Sequence, residues 1–484
     1  MEGEEEEILE PVSPSAQYLK SSTLSLTILG VLETEFPVDD SMTMPLLKNV
    51  FLPINPRFSS IMVTEKKGVK KWKKVEVNLK DHVNVPTFPN DMSTEYYDQC
   101  FTDYLSKIAM EELPLNRPLW EIHIIKYPTE NAAGNVVFKL HHSLGDGYSL
   151  MGALLSCLQR LDDPSLPLTF PSRQSNGESN NSGGNGLFLR RAPRFLKGLV
   201  NTACDFGWAL LKSSLVKDDK SPIRSGGDGV EFRPVVTITT AVDLDQIKMI
   251  KSRLKVTIND VITGIITLGT RLYMQKTSEE SGTAKSTALV LLNTRAVGGY
   301  KSLDEMIKPG SEMLWGNRFA FLQCPIPKLT AHDLQNPLGF VRKAHRTIKR
   351  QRNSAAVLLT GQLLNLIRKI RGPEVKKSSC MFMEQATARY IHGTLKNTSM
   401  AISNLIGPVE KMALDNQPIK GLYFVVAGPP QSVSVTMISY VGKLRIAMTM
   451  EKGFMDPNKF KSCIEYAFEI ISKAALQSPP TTKP

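Results

Sequence analysis

The sequence predicts a mixed α/β protein built in two parts, on three observations. Strand-like runs alternate with stretches of helical apolar spacing along the chain. Its 484 residues exceed one ordinary core, and the usual scaling gives two domains of about 200 residues each. Between Pro171 and Gly186 the chain turns to Ser, Asn and Gly with almost no apolar residue, a linker composition that divides it there.

The elements follow in order. Residues 1–10 form an acidic tip, Glu4 to Glu7, that is expected to be disordered, and a Pro/Ser-rich lead from Pro11 to Pro14 opens a first half over 11–170. Leu24 to Leu29 reads as an early strand, and Asn55-Pro56-Arg57-Phe58 as a turn into a strand at Ile61-Met62-Val63. Asp103 to Glu112 is helical in pattern and Pro114 ends it. Leu115 to Ile125 extends again and carries Pro118-Leu119-Trp120, and Val136 to Leu140 reads as a buried strand. Tyr148 to Leu161 has helical spacing, so His141-His142-Ser143-Leu144-Gly145-Asp146-Gly147 sits on a strand-to-helix loop, where chemistry is usually carried.

Residues 171–231 hold the linker and then a basic amphipathic segment. There Leu196, Leu199, Val200, Ala203, Leu210 and Leu211 share one helical face, ringed by Arg190, Arg191, Arg194, Lys197 and Lys212. Such a segment can lie on a membrane or pack on the protein's own core. Nowhere is there an uncharged apolar stretch of the ~18 residues a spanning helix needs. The second half, 232–476, begins with a strand at Val235 to Thr239 and a helix from Thr257 to Tyr273 with Asn259 and Asp260 near its start. A buried strand, Leu289 to Leu292, leads to Asn293-Thr294-Arg295. Then come a basic helix bearing Arg342, Arg346, Lys349 and Arg350, and an apolar face within Ser354 to Ile370 that fits a core helix or, less well, another membrane-surface element. Strands at Leu422 to Ala427, Val433 to Val441 and Leu444 to Met450 follow, the last two joined at Gly442-Lys443, and a helix from Pro457 to Leu476 closes the domain before a disordered tail, 477–484.

Composition bounds the function. With 42% hydrophobic and 22% charged residues the chain folds. Six cysteines without CxxC spacing, and an acidic N-terminus unlike a signal peptide, point to a reducing cytosol and no metal site. The net charge of +12 favours a polyanionic partner: nucleic acid, an anionic membrane surface or a phosphorylated cofactor.

The histidine loop supplies a chemistry. A hydroxyl attacking an acyl carbon must lose its proton, and an imidazole of reference pKa about 6.5 is poised to take it near neutrality. Adjacent residues leaving a strand point to opposite sides, so one of His141 and His142 faces the reaction and the other is buried support. Asp146 either orients a ring nitrogen or turns inward to pair with an arginine. Gly145 and Gly147 allow backbone angles that a Cβ would forbid.

This loop resembles the HHxxxDG signature of the CoA-dependent acyltransferase superfamily. Within it, Pro118-Leu119-Trp120 looks like the PLW motif, Asn259-Asp260 like the ND motif, and Ser403-Asn404-Leu405-Ile406-Gly407-Pro408 like the SNxxGP segment of the plant-type wax ester synthase/diacylglycerol acyltransferase family, with Ile406 where that family often has proline. The resemblance covers nearly the whole chain, its motifs in the family's order. It implies two similar chloramphenicol-acetyltransferase-like α/β halves with mixed sheets, joined by a crossover, and a tunnel between them with the histidine loop at its middle. His142 would be the general base, with no covalent acyl-enzyme. His141, Asp146, Gly147, Arg295 and Asn404 would support it: Asp146 pairing with an arginine, for which Arg295 is the candidate, and Asn404 or Ser403 donating near the reacting oxygens. Pro118, Leu119 and Trp120 would be mainly structural, and Asn259 and Asp260 would either cap the start of their helix or serve the site.

The implied co-substrate is fatty acyl-CoA, with no tightly bound cofactor and no metal. A long-chain alcohol or diacylglycerol would be the acceptor, at the cytosolic face of the endoplasmic reticulum membrane or also the plasma membrane, with the enzyme held peripherally or monotopically rather than spanning. A soluble acyltransferase for polar alcohols or amines is the alternative, which the basic amphipathic segment disfavours. A protein that has lost activity and binds membranes or polyanions is another. No zinc spacing or RNA-binding signature supports nucleic acid as a partner.

Overall fold

The computed structural model describes residues 8–20, 24–64, 70–168, 207, 211–212, 215–293, 315–317, 319–352 and 390–477. A seven-stranded sheet runs in the order β5 (Val83–Asn84), β6 (Trp120–Ile125), β7 (Gly134–His141), β2 (Thr27–Thr34), β14 (Gln417–Ala427), β13 (Met412–Leu414) and β8 (Gln159–Arg160). A six-stranded sheet runs β11 (Phe319–Pro325), β10 (Thr287–Asn293), β12 (Met400–Leu405), β15 (Val433–Tyr440), β16 (Lys443–Glu451) and β9 (Val235–Asp243). A third, small sheet orders β1 (Ile8–Pro11), β4 (Lys70–Lys74) and β3 (Ser60–Thr64).

The apolar runs of β2 and β7 become strands covered on both faces, which is why every residue of each is buried. Val136, Phe138 and Leu140 pack with Phe51, Phe58 and Trp120 on one side. Val137 packs on the other with Phe101, Leu105 and Ile108 of helix Thr94–Met110. That helix starts nine residues ahead of the expected Asp103, because the Ser93 side chain accepts from Tyr96 N and so caps it there.

In the second sheet, Val290, Ile402, Val435 and Met448 point toward helices Ile258–Thr277, Leu338–Arg352 and Pro457–Gln477. Helix Ile258–Thr277 opens on a capping box: Asp260 N donates to Thr257 Oγ1 at 3.2 Å, and Thr257 N donates to Asp260 Oδ2 at 2.8 Å. It lies beneath the two other helices, and small residues make room for both. A Cβ on Gly264 would stand 2.7 Å from Val341 Cα, and one on Gly269 2.6 Å from Ile464 Cδ1.

The two halves are not separate lengths of chain. β14 pairs antiparallel with β2 from Ile419 opposite Thr34 to Ala427 opposite Thr27. β13 bridges β14 to β8. A division at residue 232 therefore misplaces these two strands, which complete the first sheet. Between the sheets, Arg445 of β16 pairs with Glu33 of β2, and Thr436 Oγ1 donates to Phe424 O.

Other boundaries also move. Residues 8–10 are not part of a disordered tip: β1 pairs with β4, and Glu10 makes an ion pair with Arg57 that anchors it. The stretch 215–231 is not linker, since Asp218 forms a buried ion pair with Lys212 and accepts from Thr287 N and Ser399 Oγ, both at 2.7 Å. Fully partnered, the buried carboxylate ties this stretch to the second sheet. The β15–β16 turn is Val441-Gly442, both at positive φ (45° and 73°), one residue before the expected pair. Helix Leu244–Leu254 and strand β11 were not expected. The faces over 187–206 and 354–370, together with Arg295 and 478–484, lie outside the described residues.

Candidate active site

His141 ends β7 and His142 opens the loop behind it. Three backbone bonds fix the pair: His141 N donates to Leu119 O at 3.0 Å, His142 N to Leu26 O at 2.9 Å, and Leu144 N to His141 O at 3.0 Å. The Pro118-Leu119-Trp120 motif is thus a clamp on the strand end. Trp120 is fully buried, donates from Nε1 to Phe58 O at 2.8 Å and stacks on the His82 ring at 4.1 Å.

The two histidines divide as the alternation of side chains requires. His141 is 1% exposed. Its Nδ1 accepts from Ser143 N at 3.1 Å, which leaves the proton on Nε2, 3.2 Å from Ser25 Oγ. Both ring nitrogens are occupied, and burial pushes its pKa well below the usual imidazole value, with Lys20 adding to the effect. It is neutral framework.

His142 differs in having one nitrogen left over. Its Nδ1 lies 2.9 Å from Asn317 Oδ1, and Asn317 Nδ2 donates to the His142 carbonyl at 3.1 Å. Its Nε2 makes no hydrogen bond among the described residues, and its ring meets Phe319 edge-on at 5.9 Å. Burial lowers its pKa, while the nearby Asp146 charge acts in the opposite sense. The imidazole is therefore uncharged near neutrality, with a lone pair available.

Asp146 is not the residue that orients His142. It caps helix Gly147–Ser156, with Oδ1 accepting from Ser149 N at 3.0 Å. Its expected partner Arg295 lies outside the described residues. The orienting contact comes instead from Trp315-Gly316-Asn317, just ahead of β11 in the second half. Trp315 Nε1 donates to Leu144 O at 2.8 Å, where Arg57 Nη1 also donates at 3.1 Å, and Gly316 N donates to Ser149 Oγ at 3.3 Å. This tripeptide went unread in the sequence. A tryptophan directly before Gly-Asn and an apolar run was the only signal there.

The SN and ND motifs meet each other rather than the histidine. Asn404 Nδ2 donates to Asn259 Oδ1, and Asp260 accepts from His345 Nδ1 at 2.8 Å. Alternation along β12 explains this: Ile402 lies in the helix-side core, so Asn404 faces the helices, whereas Ser403 and Leu405 face the first half. Leu405 reaches the histidine loop, where a Cβ on Gly147 would lie 3.8 Å from its Cδ1. Gly407 allows the chain to turn away, since a Cβ there would stand 2.1 Å from Ser439 O. Beside His142 the same face of the second sheet presents Phe319, Phe321, Leu291, Ala401 and Ser403, all partly exposed. The site is thus a neutral base beside a mostly apolar strip.

Two family models match the chain: the wax ester synthase/diacylglycerol acyltransferase catalytic domain over residues 51–262, and the WS/DGAT C-terminal domain over 315–472. Wax ester synthase/diacylglycerol acyltransferase 11 of Arabidopsis thaliana is 27% identical over 485 residues, covering 97% of this chain and 96% of that protein. Its paralogue 4 is 28% identical over 497 residues, covering 98% and 92%. Among solved structures, the wax ester synthase/diacylglycerol acyltransferase from Marinobacter aquaeolei VT8 shares the fold with a TM-score of 0.57 at 17% identity, covering 96% of this chain and 100% of that one. With both halves matched and similarity running the length of the curated relatives, the chain belongs to the wax ester synthase/diacylglycerol acyltransferase family, a family of acyltransferases.

Proposed function

We propose that the protein transfers a fatty acyl group from acyl-CoA to the hydroxyl of a long-chain alcohol or diacylglycerol, with His142 as general base. The observation that carries this reading is the unengaged Nε2 of a neutral, buried imidazole facing an apolar strip. The acceptor hydroxyl gives its proton to Nε2 as its oxygen bonds to the thioester carbon. The C–S bond then breaks, the proton passes to the departing thiolate, and free coenzyme A and an oxygen ester result. Phe319, Phe321 and Leu291 give alkyl chains an apolar wall. Ser403, on that face, offers a hydroxyl for the carbonyl oxygen as it gains charge.

The same reading places the enzyme on the cytosolic face of the endoplasmic reticulum membrane. No helix among the described residues is long and apolar enough to cross a membrane. Helix Leu338–Arg352 buries Phe340, Val341, Ala344 and Ile348 and carries six cations and no carboxylate. Exposed Arg342, Arg346 and Lys349 follow one another at helical spacing without an ion pair among the described residues. Such a stripe suits an anionic lipid surface.

The test is product analysis with labelled palmitoyl-CoA and either hexadecanol or diacylglycerol. Wild type should give labelled ester, and His142→Ala should lose about 10²–10⁴-fold in rate, the usual range for a general base. Equal product from both forms would remove His142 as the base.

A further inference from the structure

We propose that Asn317 is the positioning residue of the catalytic base, holding the Nδ1 proton of His142 so that Nε2 is the basic atom. The inference rests on the reading of His142 as base.

A neutral imidazole carries its proton on either nitrogen, and only the Nδ1–H form has its lone pair on Nε2. Something must therefore accept from Nδ1. Asn317 is constrained to do so by its own second bond. Its Nδ2 donates to the His142 carbonyl at 3.1 Å, and a carbonyl oxygen can only accept. That contact fixes the carboxamide with Oδ1 toward the ring, 2.9 Å from Nδ1. Oδ1 in turn can only accept, so the proton sits on Nδ1. The reciprocal pair leaves no freedom in the tautomer.

The backbone of Asn317 is held by its neighbours. Trp315 and Gly316 bond to Leu144 O and Ser149 Oγ on either side of the loop, so the tripeptide closes over it as a clasp. Asn317 and His142 are 175 residues apart and flank strands of different sheets, β11 and β7. The base is set in order only when the halves are docked.

A neutral amide fixes the tautomer without charge, unlike the carboxylate of a serine-protease triad. This suits a buried site. An anion at the same place would favour imidazolium and raise the pKa of His142, leaving less free base below neutrality. The substitution Asn317→Asp therefore separates positioning from mere support.

The experiment uses the full-length enzyme, with kcat and KM for palmitoyl-CoA measured from pH 5.5 to 9 for wild type, N317A, N317D and H142A. Asn317→Ala should lower kcat by about 10–100-fold with KM within about 2-fold, since the wrong tautomer is an unproductive form of a correctly bound complex. Asn317→Asp, nearly isosteric, should recover much of that rate at pH 8.5, because its carboxylate accepts from Nδ1. Its acid limb should move up by about one pH unit or more, the usual effect of an adjacent opposite charge. A purely structural role would leave the limb in place. Wild-type kcat in N317A, or an unmoved limb in N317D, would overturn the proposal. If H142A is inactive while the Asn317 variants match wild type, the positioning role alone fails. If H142A keeps its activity, the base assignment fails with it.

Discussion

At the scale of the residue, the histidine loop owes its behaviour to burial without charge. The adjacent histidines 141 and 142 differ in what their nitrogens touch, and that difference was legible in part. Strand alternation predicted one framework and one reacting ring. Which partner would orient the second was not legible, because the candidate four residues away, Asp146, caps a helix, whereas Asn317 comes from a distant strand end. Burial lowers the pKa of His82, His141 and His142 alike. The folded state thus refuses protons that the unfolded chain accepts near pH 6.5, so the stabilisation is present above that value and lost as pH falls below it. Glu33 has the opposite tendency, its pKa raised by burial against the pull of Arg445, so it offsets part of that loss. The melting temperature should therefore fall between pH 7 and pH 5, and equal midpoints at the two values would contradict the account.

At the scale of the element, close packing in the second half turns on two glycines of helix Ile258–Thr277. A Cβ on Gly264 would meet backbone atoms of helix Leu338–Arg352, Val341 N at 2.9 Å as well as its Cα, and backbone cannot rotate away as a side chain can. Gly264→Ala should thus push the helices apart and cost about 1–3 kcal/mol. Urea denaturation checks this: the midpoint should drop, and an unchanged midpoint would mean that the interface has slack. The helix itself was readable from its apolar period, and Asp260 from its capping position. Strand β11 was not. Its Phe319-Ala320-Phe321-Leu322 run begins one residue, Arg318, after the tripeptide Trp315-Gly316-Asn317, where no turn pattern had been recognised to delimit it. Nor could periodicity assign β14 to a sheet. Its alternation is visible in the sequence, but pairing partners are chosen by tertiary register.

At the scale of the whole molecule, two features organise the surface and the fold. The net charge of +12 was read as a polyanion preference, and helix Leu338–Arg352 gathers six of the cations on one element. Replacing Arg342, Arg346 and Lys349 with glutamate should reduce sedimentation with vesicles containing phosphatidic acid by at least 10-fold at 0.1 M salt. Activity on detergent-dispersed substrates should persist. Wild-type sedimentation by the triple variant would remove this helix as a lipid-binding surface. Two sheets and their helices were foreseen, but the exchange of strands between halves was not, since a linker seen in composition says nothing of a chain that returns.

That return has a consequence for how the protein is made. Thr27–Thr34 leaves the ribosome early and finds β7 within about 100 residues, but its other edge waits for β14, about 400 residues later. At typical synthesis rates of about 5–20 residues per second, that interval is about 20–80 s. Throughout it the nascent chain displays an apolar strand with unpaired amides and carbonyls, the kind of edge that recruits foreign strands. Truncated products ending before Gln417 share that fate permanently, so early stop codons should yield insoluble chains rather than working half-enzymes.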